Sequence, residues 1–334
     1  MTEDRVLLSH GDGGQMMADL IARVFVSRLG TGSPPGDDAA RFAGAGRLAF
    51  TTDAFVVDPI FFPGGDIGKL AISGTVNDLA TAGARPIAIS ASFILEEGLP
   101  VSDLERIADS MAEAAGDARV QVVTGDTKVV PRGRADRVYI TTAGVGEVPP
   151  GVSVSGAGAR PGDVVLVSGP VGDHGLSVLS RREGLEFESG IESDCAPLGG
   201  MVQALLAAVP GAVHVLRDPT RGGVAGALNE IARQSGVEIE IVESAVPVRP
   251  AVAAACEMLG LDPLYAANEG KMLVIAAAEQ AECALSALRA HPRAAEAALI
   301  GRVAAGRGRV LLETALGTHR ILDRHVGEQM PRIC

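Results

Sequence analysis

The sequence has 334 residues, of which 47% are hydrophobic and 21% charged, and this composition is typical of a folded globular protein rather than a disordered one. Its 41 acidic and 29 basic side chains give a net charge of −12, which repels phosphate backbones, and two Tyr, eight Phe and no Trp offer few rings on which bases could stack. These figures argue against nucleic acid as the main partner, and the length suffices for two domains with separate cores.

The first half of the chain alternates predicted helices with predicted strands. A glycine-rich turn at residues 10–14 leads into a helix predicted over 16–29, where apolar residues recur three and four positions apart. Further helices are predicted over 64–83 and 101–115, and strands over 48–52, 86–95, 119–124 and 137–145. This alternation predicts an α+β domain over residues 1–150, which ends at the turn 149–151 (PPG).

The second half repeats this rhythm after a Gly- and Ala-rich linker at 156–162. Strands are predicted over 164–167, 213–216, 237–242, 272–276, 300–303 and 310–312, and helices over 172–182, 198–208, 224–234, 250–259 and 280–289. These elements predict a second α+β domain over residues 151–314. Residues 315–334 are predicted to form a mobile tail, which Gly327 loosens and Pro331 stiffens near its tip.

Neither end of the sequence nor its interior carries a membrane or targeting signal. The start, Met1 to Arg5, lacks the basic residues and apolar run of a signal peptide, and no apolar stretch approaches the roughly 18 residues of a membrane span. The cysteines are widely separated and form no CxxC pair, which favours reduced thiols over disulfides or a zinc site. We therefore expect a cytoplasmic protein with no membrane partner.

Acidic residues in the first half form the clearest candidate site. Asp37 with Asp38, Asp53, Asp78 and Asp126 are predicted at strand ends or turns, where a scaffold presents chemistry. Converging carboxylates repel one another unless a cation lies between them, and oxygen ligands favour Mg²⁺, which commonly bridges carboxylates and phosphates. Taken singly, each Asp also suits a turn or a helix cap. Together with glycine-rich turns that could present N–H groups to phosphates, they predict a site for Mg²⁺ and a nucleotide.

Two common nucleotide-binding folds do not explain this site, because the sequence has no Walker A motif and no GxGxxG after a strand. A second feature is the last residue, Cys334, whose thiol sits at the end of a tether. At roughly 3.3–3.6 Å per residue, the chain from Gly327 to Cys334 could reach ~25 Å. A frayed terminus is the simpler interpretation of its position alone. Residue by residue, the sequence predicts a magnesium–phosphate enzyme with a mobile thiol.

The order of the motifs resembles the HypE family of hydrogenase maturation proteins, which belongs to the superfamily of aminoimidazole ribonucleotide synthetase, selenophosphate synthetase and thiamine-monophosphate kinase. The motifs that carry the resemblance are residues 10–14 (HGDGG), 36–38 (GDD), 77–79 (NDL), 125–128 (GDTK), 217–223 (RDPTRGG), 268–270 (NEG) and 331–334 (PRIC). The acidic motifs are shared across the superfamily, whereas the terminal PRIC is specific to HypE. Asp12 departs from the pattern, because the family more often has Ser there.

The resemblance implies two mixed α/β domains of the aminoimidazole ribonucleotide synthetase type, a flexible C-terminal tail that folds into a cleft between them, and a homodimer that pairs through the first domains. It also implies a carbamoyl dehydratase. The carbamoyltransferase HypF would place a carbamoyl group on the Cys334 sulfur, and ATP would activate its oxygen. Loss of phosphate would leave a thiocyanate, whose cyano group would pass to iron on the HypC–HypD complex for [NiFe]-hydrogenase.

The resemblance also assigns roles to individual residues. Glu269 would be the base that takes protons from the carbamoyl nitrogen, and Lys128 would orient the group or relay a proton. Residues implied to bind the cofactors ATP and Mg²⁺ are Asp38, Asp53, Asn77, Asp78, Asp126, Arg217, Asp218, Arg221, Gly222 and Gly223, with Asp38, Asp53, Asp78 and Asp126 as metal ligands. His174 and His214 are expected to serve packing or hydrogen bonding.

Two alternatives remain open. The first is an ATP-dependent enzyme of the same superfamily, of the selenophosphate or aminoimidazole ribonucleotide synthetase type, that acts on a diffusible small molecule and leaves Cys334 idle. The second is a non-catalytic carrier whose terminal thiol moves a group or a metal between partners; the set of aspartates argues against it.

Overall fold

The computed structural model describes residues 14–20, 40–43, 46–185, 190–324 and 333–334. Its α-helices are α1 (Gln15–Leu20), α2 (Ile67–Thr81), α3 (Val101–Ala118), α4 (Asp173–Glu183), α5 (Gly199–Ala208), α6 (Gly223–Ser235), α7 (Pro250–Leu259) and α8 (Ala281–Arg289). Its strands are β1 (Ala40–Ala43), β2 (Arg47–Phe55), β3 (Phe61–Phe62), β4 (Gly65–Asp66), β5 (Arg85–Glu96), β6 (Gln121–Val130), β7 (Val138–Val148), β8 (Val164–Val167), β9 (Val213–Arg217), β10 (Val237–Val242), β11 (Leu273–Ala276), β12 (Ala298–Ala305), β13 (Arg309–Glu313) and β14 (His319–Ile321). None of these helices combines the length and the apolar character needed to cross a bilayer.

The first domain is a five-stranded sheet in the order β1-β2-β7-β5-β6, with α2 packed along one face and α3 packed against α2 and β6. The β5–β6 pair is parallel and the other pairs are antiparallel. Along β7 buried residues alternate with more exposed ones, as in a sheet that has one face toward the core. The opposite face and the edge strand β6 are exposed in this chain.

Helix α2 begins where a carboxylate caps it. Oδ1 of Asp66 accepts hydrogen bonds from the backbone N–H groups of Gly68 (2.7 Å) and Lys69 (3.1 Å), which have no partner inside the helix. Gly68 lets α3 approach closely, since a Cβ there would overlap the carbonyl oxygen of Ile107. The helix is buried along almost its whole length because it packs against the sheet, α3 and the second domain.

The second domain is a seven-stranded sheet in the order β14-β13-β10-β12-β8-β11-β9, of which only the β10–β13 pair is parallel. Both faces are covered. In β8, Val165 and Val167 belong to the core beneath α6, whereas Leu166 belongs to the core beneath α5 and α8. A strand buried on both faces is apolar throughout, which explains the unbroken VVLV sequence of β8.

A third core joins the two domains. It contains Phe55 and Ile72 from the first domain and Leu176, Ile191 and Val252 from the second, so the domains share buried apolar surface. This shared core positions the end of β2 and α2 against the second domain.

The predicted fold class, two mixed α/β domains, is confirmed, and most predicted elements lie within two or three residues of the observed ones. Three differences affect the site. Strand β2 continues through Asp53 to Phe55, the GDTK motif lies inside β6 instead of following a strand, and β14 lies in the segment predicted as tail. Gly and Asp favour turns locally, but pairing with β5 holds residues 125–128 extended.

Candidate active site

Five predicted site residues meet where the end of β2, the start of α6 and the loop before β11 face each other. The buried carboxyl of Glu269 and the thiol of Cys334 each lie within electrostatic range of Asp53, Asp218 and Arg221, and of each other. These residues come from four separate places in the sequence, since Asp218 and Arg221 share the motif at 217–223. The structure therefore assembles a single site from motifs in both domains and from the last residue of the chain.

Glu269 is 4% exposed, and its backbone is fixed on both sides. Its N–H donates to Oδ1 of Asp194 at 3.1 Å, and its carbonyl oxygen accepts from Nδ2 of Asn77 at 3.2 Å. Burial raises the pKa of the Glu269 carboxyl well above its usual range, and the nearby charges of Asp218, Asp53 and Asp194 raise it further, against the opposing effect of Arg221. A carboxyl tuned upward in this way is suited to proton transfer near neutral pH.

Cys334 is half-buried and docked into the same site. Its main-chain oxygen accepts a hydrogen bond from Val56 N at 3.2 Å, just beyond the end of β2. Burial raises the pKa of the Cys334 thiol to about 12; Arg221 opposes this shift, and Glu269, Asp53 and Asp218 add to it. The docked thiol is therefore protonated at neutral pH and is a poor nucleophile in this position.

Asp53 and Asp78 lie side by side between β2 and α2. Oγ1 of Thr51 donates to Oδ2 of Asp78 at 2.6 Å, and Thr51 and Asp53 share one face of the strand. A Cβ on Gly74, one turn before Asp78, would lie 3.6 Å from Oδ2 of Asp53. Two neighbouring carboxylates offer the oxygen donors that Mg²⁺ prefers. Among the described residues no group of three or more His, Cys, Asp or Glu is close enough to hold a metal ion, and the predicted ligand Asp38 lies outside those residues.

The structure does not bring Asp126 and Lys128 to the site formed within the same chain. Asp126 pairs with Ser92 on β5, and the same row continues through Thr141 on β7 to Ala54 on β2. Three strand spacings separate Asp126 from Ala54, or roughly 14 Å along the sheet. The side chains of this row also point to the face of the sheet opposite that of Asp53, because the side chains of neighbouring residues in a strand point to opposite faces.

Instead, Lys128 pairs with Asp126 in solvent. Its Nζ donates to Oδ2 of Asp126 at 2.6 Å and to Oδ1 at 2.8 Å, and these bonds lower the pKa of the Asp126 carboxyl. A role for either residue in the Glu269–Cys334 site thus requires a second copy of the chain.

The RDPTRGG motif shapes the start of α6. Arg217 ends β9 and its guanidinium lies 3.2 Å from Oε2 of Glu230 in α6, which ties the strand to the helix. Gly222 and Gly223 have positive φ angles of 80° and 59°. A Cβ on Gly223 would lie 2.6 Å from carbonyl oxygens of the loop ahead of Glu269, so glycine permits this close approach. The thirteen-residue helix therefore begins directly beside the loop that leads to Glu269.

Asn77 connects the two domains. Its Oδ1 accepts from Leu198 N at 2.7 Å, and its Nδ2 donates to the carbonyl oxygens of Ala196 (3.1 Å) and Glu269 (3.2 Å). The side chain is buried, and these three bonds make it a positioning residue for Glu269. Its predicted role in binding the cofactor stays a prediction.

Sequence reasoning missed several residues that support the site. Asp194 holds the Glu269 backbone and pairs with the buried Lys271 at 3.1 Å, and His174 contacts the last residues of the chain. Partners 75 and 159 residues apart leave no local signal in a single sequence. The expectation of hydrogen bonding is confirmed for His174 and for His214, whose Nδ1 lies 2.8 Å from Oδ2 of Asp163.

The chain is similar to proteins of one known family over nearly its whole length. Two family descriptions match the chain: AIR synthase related protein, N-terminal domain, over residues 36–148, and AIR synthase related protein, C-terminal domain, over residues 160–313. The carbamoyl dehydratase HypE of Azotobacter vinelandii is 56% identical over 332 residues, which are 98% of this chain and 97% of the relative.

Solved structures agree with the sequence relatives. The hydrogenase maturation protein HypE in complex with ATP aligns with a TM-score of 0.84 at 51% identity, covering 99% of this chain and 100% of that chain. A chain of the HypE–HypF complex aligns with a TM-score of 0.88 at 48% identity, covering 92% of this chain and 99% of that chain.

Proposed function

The chain belongs to the family of the carbamoyl dehydratase HypE, a family of hydrogenase maturation enzymes, and we propose that it uses ATP to dehydrate a carbamoyl group carried on its own Cys334. The product is a thiocyanate on the same sulfur, which supplies a cyanide ligand for [NiFe]-hydrogenase. One observation supports this most directly: the thiol of Cys334 lies in the same buried site as the carboxyl of Glu269.

The residues suit the chemistry. A carbamoyl oxygen is a poor leaving group, but transfer of the terminal phosphoryl group of ATP onto that oxygen, with release of ADP, lets it leave as phosphate. The nitrogen gives up its two protons as the triple bond forms. Glu269 is the only one of the predicted catalytic residues that is both buried and beside Cys334, and its raised pKa makes its carboxylate a stronger base than an ordinary glutamate. Arg221 lies close enough to both groups to stabilise anionic charge that develops between them.

ATP is the phosphoryl donor in this proposal, as the ATP complex of the HypE relative supports. Within this chain, Asp53 and Asp78 fit a magnesium ion, and the N-terminus of α6 behind Gly222 and Gly223 fits an anionic group. Bound Mg²⁺ would neutralise charge on the phosphoryl group. Asp38, Arg217, Asp218 and Arg221 complete the set that we propose for the nucleotide and its metal.

The decisive test follows the mass of the C-terminal peptide. Protease Glu-C can cut after Glu328 and release residues 329–334, whereas trypsin would leave a dipeptide. After loading by the carbamoyltransferase, addition of ATP and Mg²⁺ is expected to remove one water from this peptide, and Cys334→Ser should carry neither modification. A carbamoylated peptide that keeps its mass with ATP, while the enzyme releases phosphate on a small substrate, would contradict the proposal and favour a superfamily enzyme with an idle cysteine.

We propose HypF as the transferase that loads Cys334, since a chain of the HypE–HypF complex aligns with this one, and the HypC–HypD complex as the acceptor of the cyano group. We expect these transfers in the cytoplasm, where the thiol is kept reduced.

We also propose a homodimer formed through the first domains. In the described part of the first sheet, β6 is the edge strand, ten residues long, and nine of them are exposed. Val122, Val123 and Val129 are among the exposed apolar residues. A long apolar edge strand is a template for pairing with another chain, and proteins that stay monomeric usually protect such an edge.

Charge on this edge is therefore expected to break the dimer. The double variant Val123→Lys, Val129→Lys should weaken self-association by about tenfold or more, because lysines on an edge strand oppose pairing. Size-exclusion chromatography with light scattering over a dilution series measures the shift. Leu316→Lys is the matched control, because Leu316 is 90% exposed in the second domain. Equal dimer affinities in the double variant and the control would rule out this edge as the interface.

A further inference from the structure

The last two residues of the chain are held by three contacts. Nε2 of His174 lies 2.6 Å from the carbonyl oxygen of Ile333, and Val56 N donates to the main-chain oxygen of Cys334 at 3.2 Å. The side chain of Ile333 is 3% exposed and belongs to the core shared by the two domains. None of these three contacts uses the Cys334 sulfur, and the Cys334 side chain itself packs against the same core, within electrostatic range of Glu269 and Arg221.

The contacts of His174 define one tautomer. A carbonyl oxygen can only accept, so Nε2 of His174 must carry the hydrogen that bonds to Ile333. Burial lowers the pKa of His174, so the ring is neutral and Nδ1 is an acceptor. It accepts from the hydroxyl of Ser193 at 2.8 Å, and Oγ of Ser193 in turn accepts from Cys195 N at 3.1 Å. Ser193 therefore satisfies Nδ1 in the tautomer whose Nε2–H binds Ile333, and it helps to orient the ring.

The ring is also fixed in place. His174 is 0% exposed and is the second residue of α4, whose N-cap residue Gly172 has a φ angle of 92°. The ring meets Phe62 edge to face, with centroids 5.4 Å apart and planes at 88°. A buried imidazole needs one partner for each nitrogen to be satisfied, but nothing about packing requires that the second partner be the penultimate residue of the chain.

We propose that His174, oriented by Ser193, is the positioning residue that holds the C-terminal segment in the site, through its hydrogen bond to Ile333. Ile333 is its apolar anchor. The inference rests on the proposed role of Cys334 as the carrier of the carbamoyl group, but docking of the segment can be measured without that chemistry. His174 does not touch the reacting group; it determines the fraction of time that Cys334 spends beside Glu269.

The four cysteines of the chain make this testable in one experiment. The full-length protein, without ATP or partner, is treated with iodoacetamide, and the alkylation rate of each cysteine is followed by mass spectrometry. Cys334 reports docking, because its docked thiol is shielded and its pKa is raised. Cys283 is exposed, so its alkylation rate gives the reactivity of the reagent in each sample. Cys195 and Cys256 are buried, so a rise in their alkylation rates would show that the fold has opened.

A pair of substitutions separates the two ring nitrogens. The amide of His174→Asn can replace Nδ1 but not Nε2, whereas the longer His174→Gln can place an N–H near the position of Nε2. Alkylation of Cys334 is expected to rise roughly three- to tenfold in His174→Asn and to stay near the wild-type rate in His174→Gln, since one hydrogen bond is lost only in the first. The rates of Cys283, Cys195 and Cys256 should not change.

Two further results decide the proposal. If wild type, His174→Asn and His174→Gln show the same Cys334 rate, His174 does not hold the segment. If His174→Asn exposes Cys195 or Cys256, the variant Ile333→Ala replaces it as the test, because this substitution removes the apolar anchor and changes only the terminal segment. The alkylation rate of Cys334 in Ile333→Ala should rise by about tenfold or more. An unchanged rate in Ile333→Ala overturns the docking itself.

Failure of this inference differs from failure of the proposed function. In the reaction with transferase and ATP, His174→Asn should accept a carbamoyl group at least as fast as wild type and dehydrate it more slowly, with rescue in His174→Gln. If the alkylation rates show that the segment is docked but neither wild type nor either His174 variant dehydrates the carbamoyl group, only the proposed reaction is refuted. Full dehydration with unchanged alkylation refutes the role of His174 alone.

Discussion

Glu269→Gln is expected to slow dehydration of carbamoylated Cys334 by about 10²- to 10⁴-fold, the usual loss when a general base is removed, while loading of Cys334 proceeds at the wild-type rate. The amide cannot accept a proton from the carbamoyl nitrogen. In the proposed reaction, loading takes place in the active site of the transferase, so it should not depend on Glu269. A single-turnover reaction followed by mass spectrometry measures both steps on the same peptide.

The rate should also depend on pH in a defined direction. In the proposed mechanism the base is the Glu269 carboxylate, and burial with three neighbouring anions raises its pKa. The dehydration rate in wild type is therefore expected to rise with pH above the range in which an ordinary glutamate ionises. Glu282→Gln, which changes an exposed glutamate of α8, should keep the wild-type rate and profile. A flat pH profile with an active Glu269→Gln variant would show that another group takes the protons.

The free energy of unfolding distinguishes a Glu269→Gln variant that has lost only the base from one that has lost the fold. The folded state favours protonated Glu269, which glutamine resembles in shape and charge, so Glu269→Gln should fold normally. A raised pKa in the folded state stabilises the protein fully below the unfolded pKa of about 4.3, and this contribution disappears as pH rises through the folded pKa. Wild type should therefore lose unfolding free energy relative to Glu269→Gln as pH rises. Thermal unfolding at several pH values measures this difference.

A heterodimer of one Lys128→Ala subunit and one Glu269→Gln subunit is expected to keep about half of the wild-type dehydration activity, although each homodimeric variant is nearly inactive. The reason is geometric. Lys128 lies on the exposed edge strand, roughly 14 Å along the sheet from β2 and on the opposite face, so it can reach a Glu269–Cys334 site only from the partner. In a twofold dimer, the mixed species then has one complete site and one site with both defects.

Two different affinity tags allow the heterodimer to be purified, and a nitrogen-isotope label in one subunit identifies whose Cys334 reacts. Dehydration should occur only on the Lys128→Ala subunit, which supplies its own Glu269 and receives Lys128 from its partner. If each site is built within one chain, the heterodimer is as inactive as its parents. If Lys128 has no role, the Lys128→Ala homodimer dehydrates normally.

The sequence predicted the second domain best, for physical reasons that individual elements show. Strands β8 and β10 and helix α7 lie at their predicted residues, because an unbroken apolar run, a strict alternation and a helix bounded by Pro250 and Gly260 are strong local signals. The GDTK motif was misplaced relative to its strand because Gly and Asp signal a turn locally, and pairing with β5 overrides that signal.

The site was predictable in its residue types but not in its grouping. Glu269, Arg221 and Cys334 carry family motifs and were identified, and the structure brings them together. The same motifs also carried Asp126 and Lys128, which the chain places elsewhere, because motif order does not tell one subunit from two. The contact of His174 with Ile333 spans 159 residues and lacks any motif.

The contacts that dock Ile333 and Cys334 have one more consequence. The two hydrogen bonds and the Ile333 side chain do not involve the sulfur, so these contacts are available both to the unmodified terminus and to one that carries a group on Cys334. Transfer to a partner is then limited by spontaneous dissociation of the terminus from the site, and not by the chemical state of the group that the sulfur carries. A partner then binds the terminus after it has dissociated, and the rate of that dissociation limits the rate of delivery.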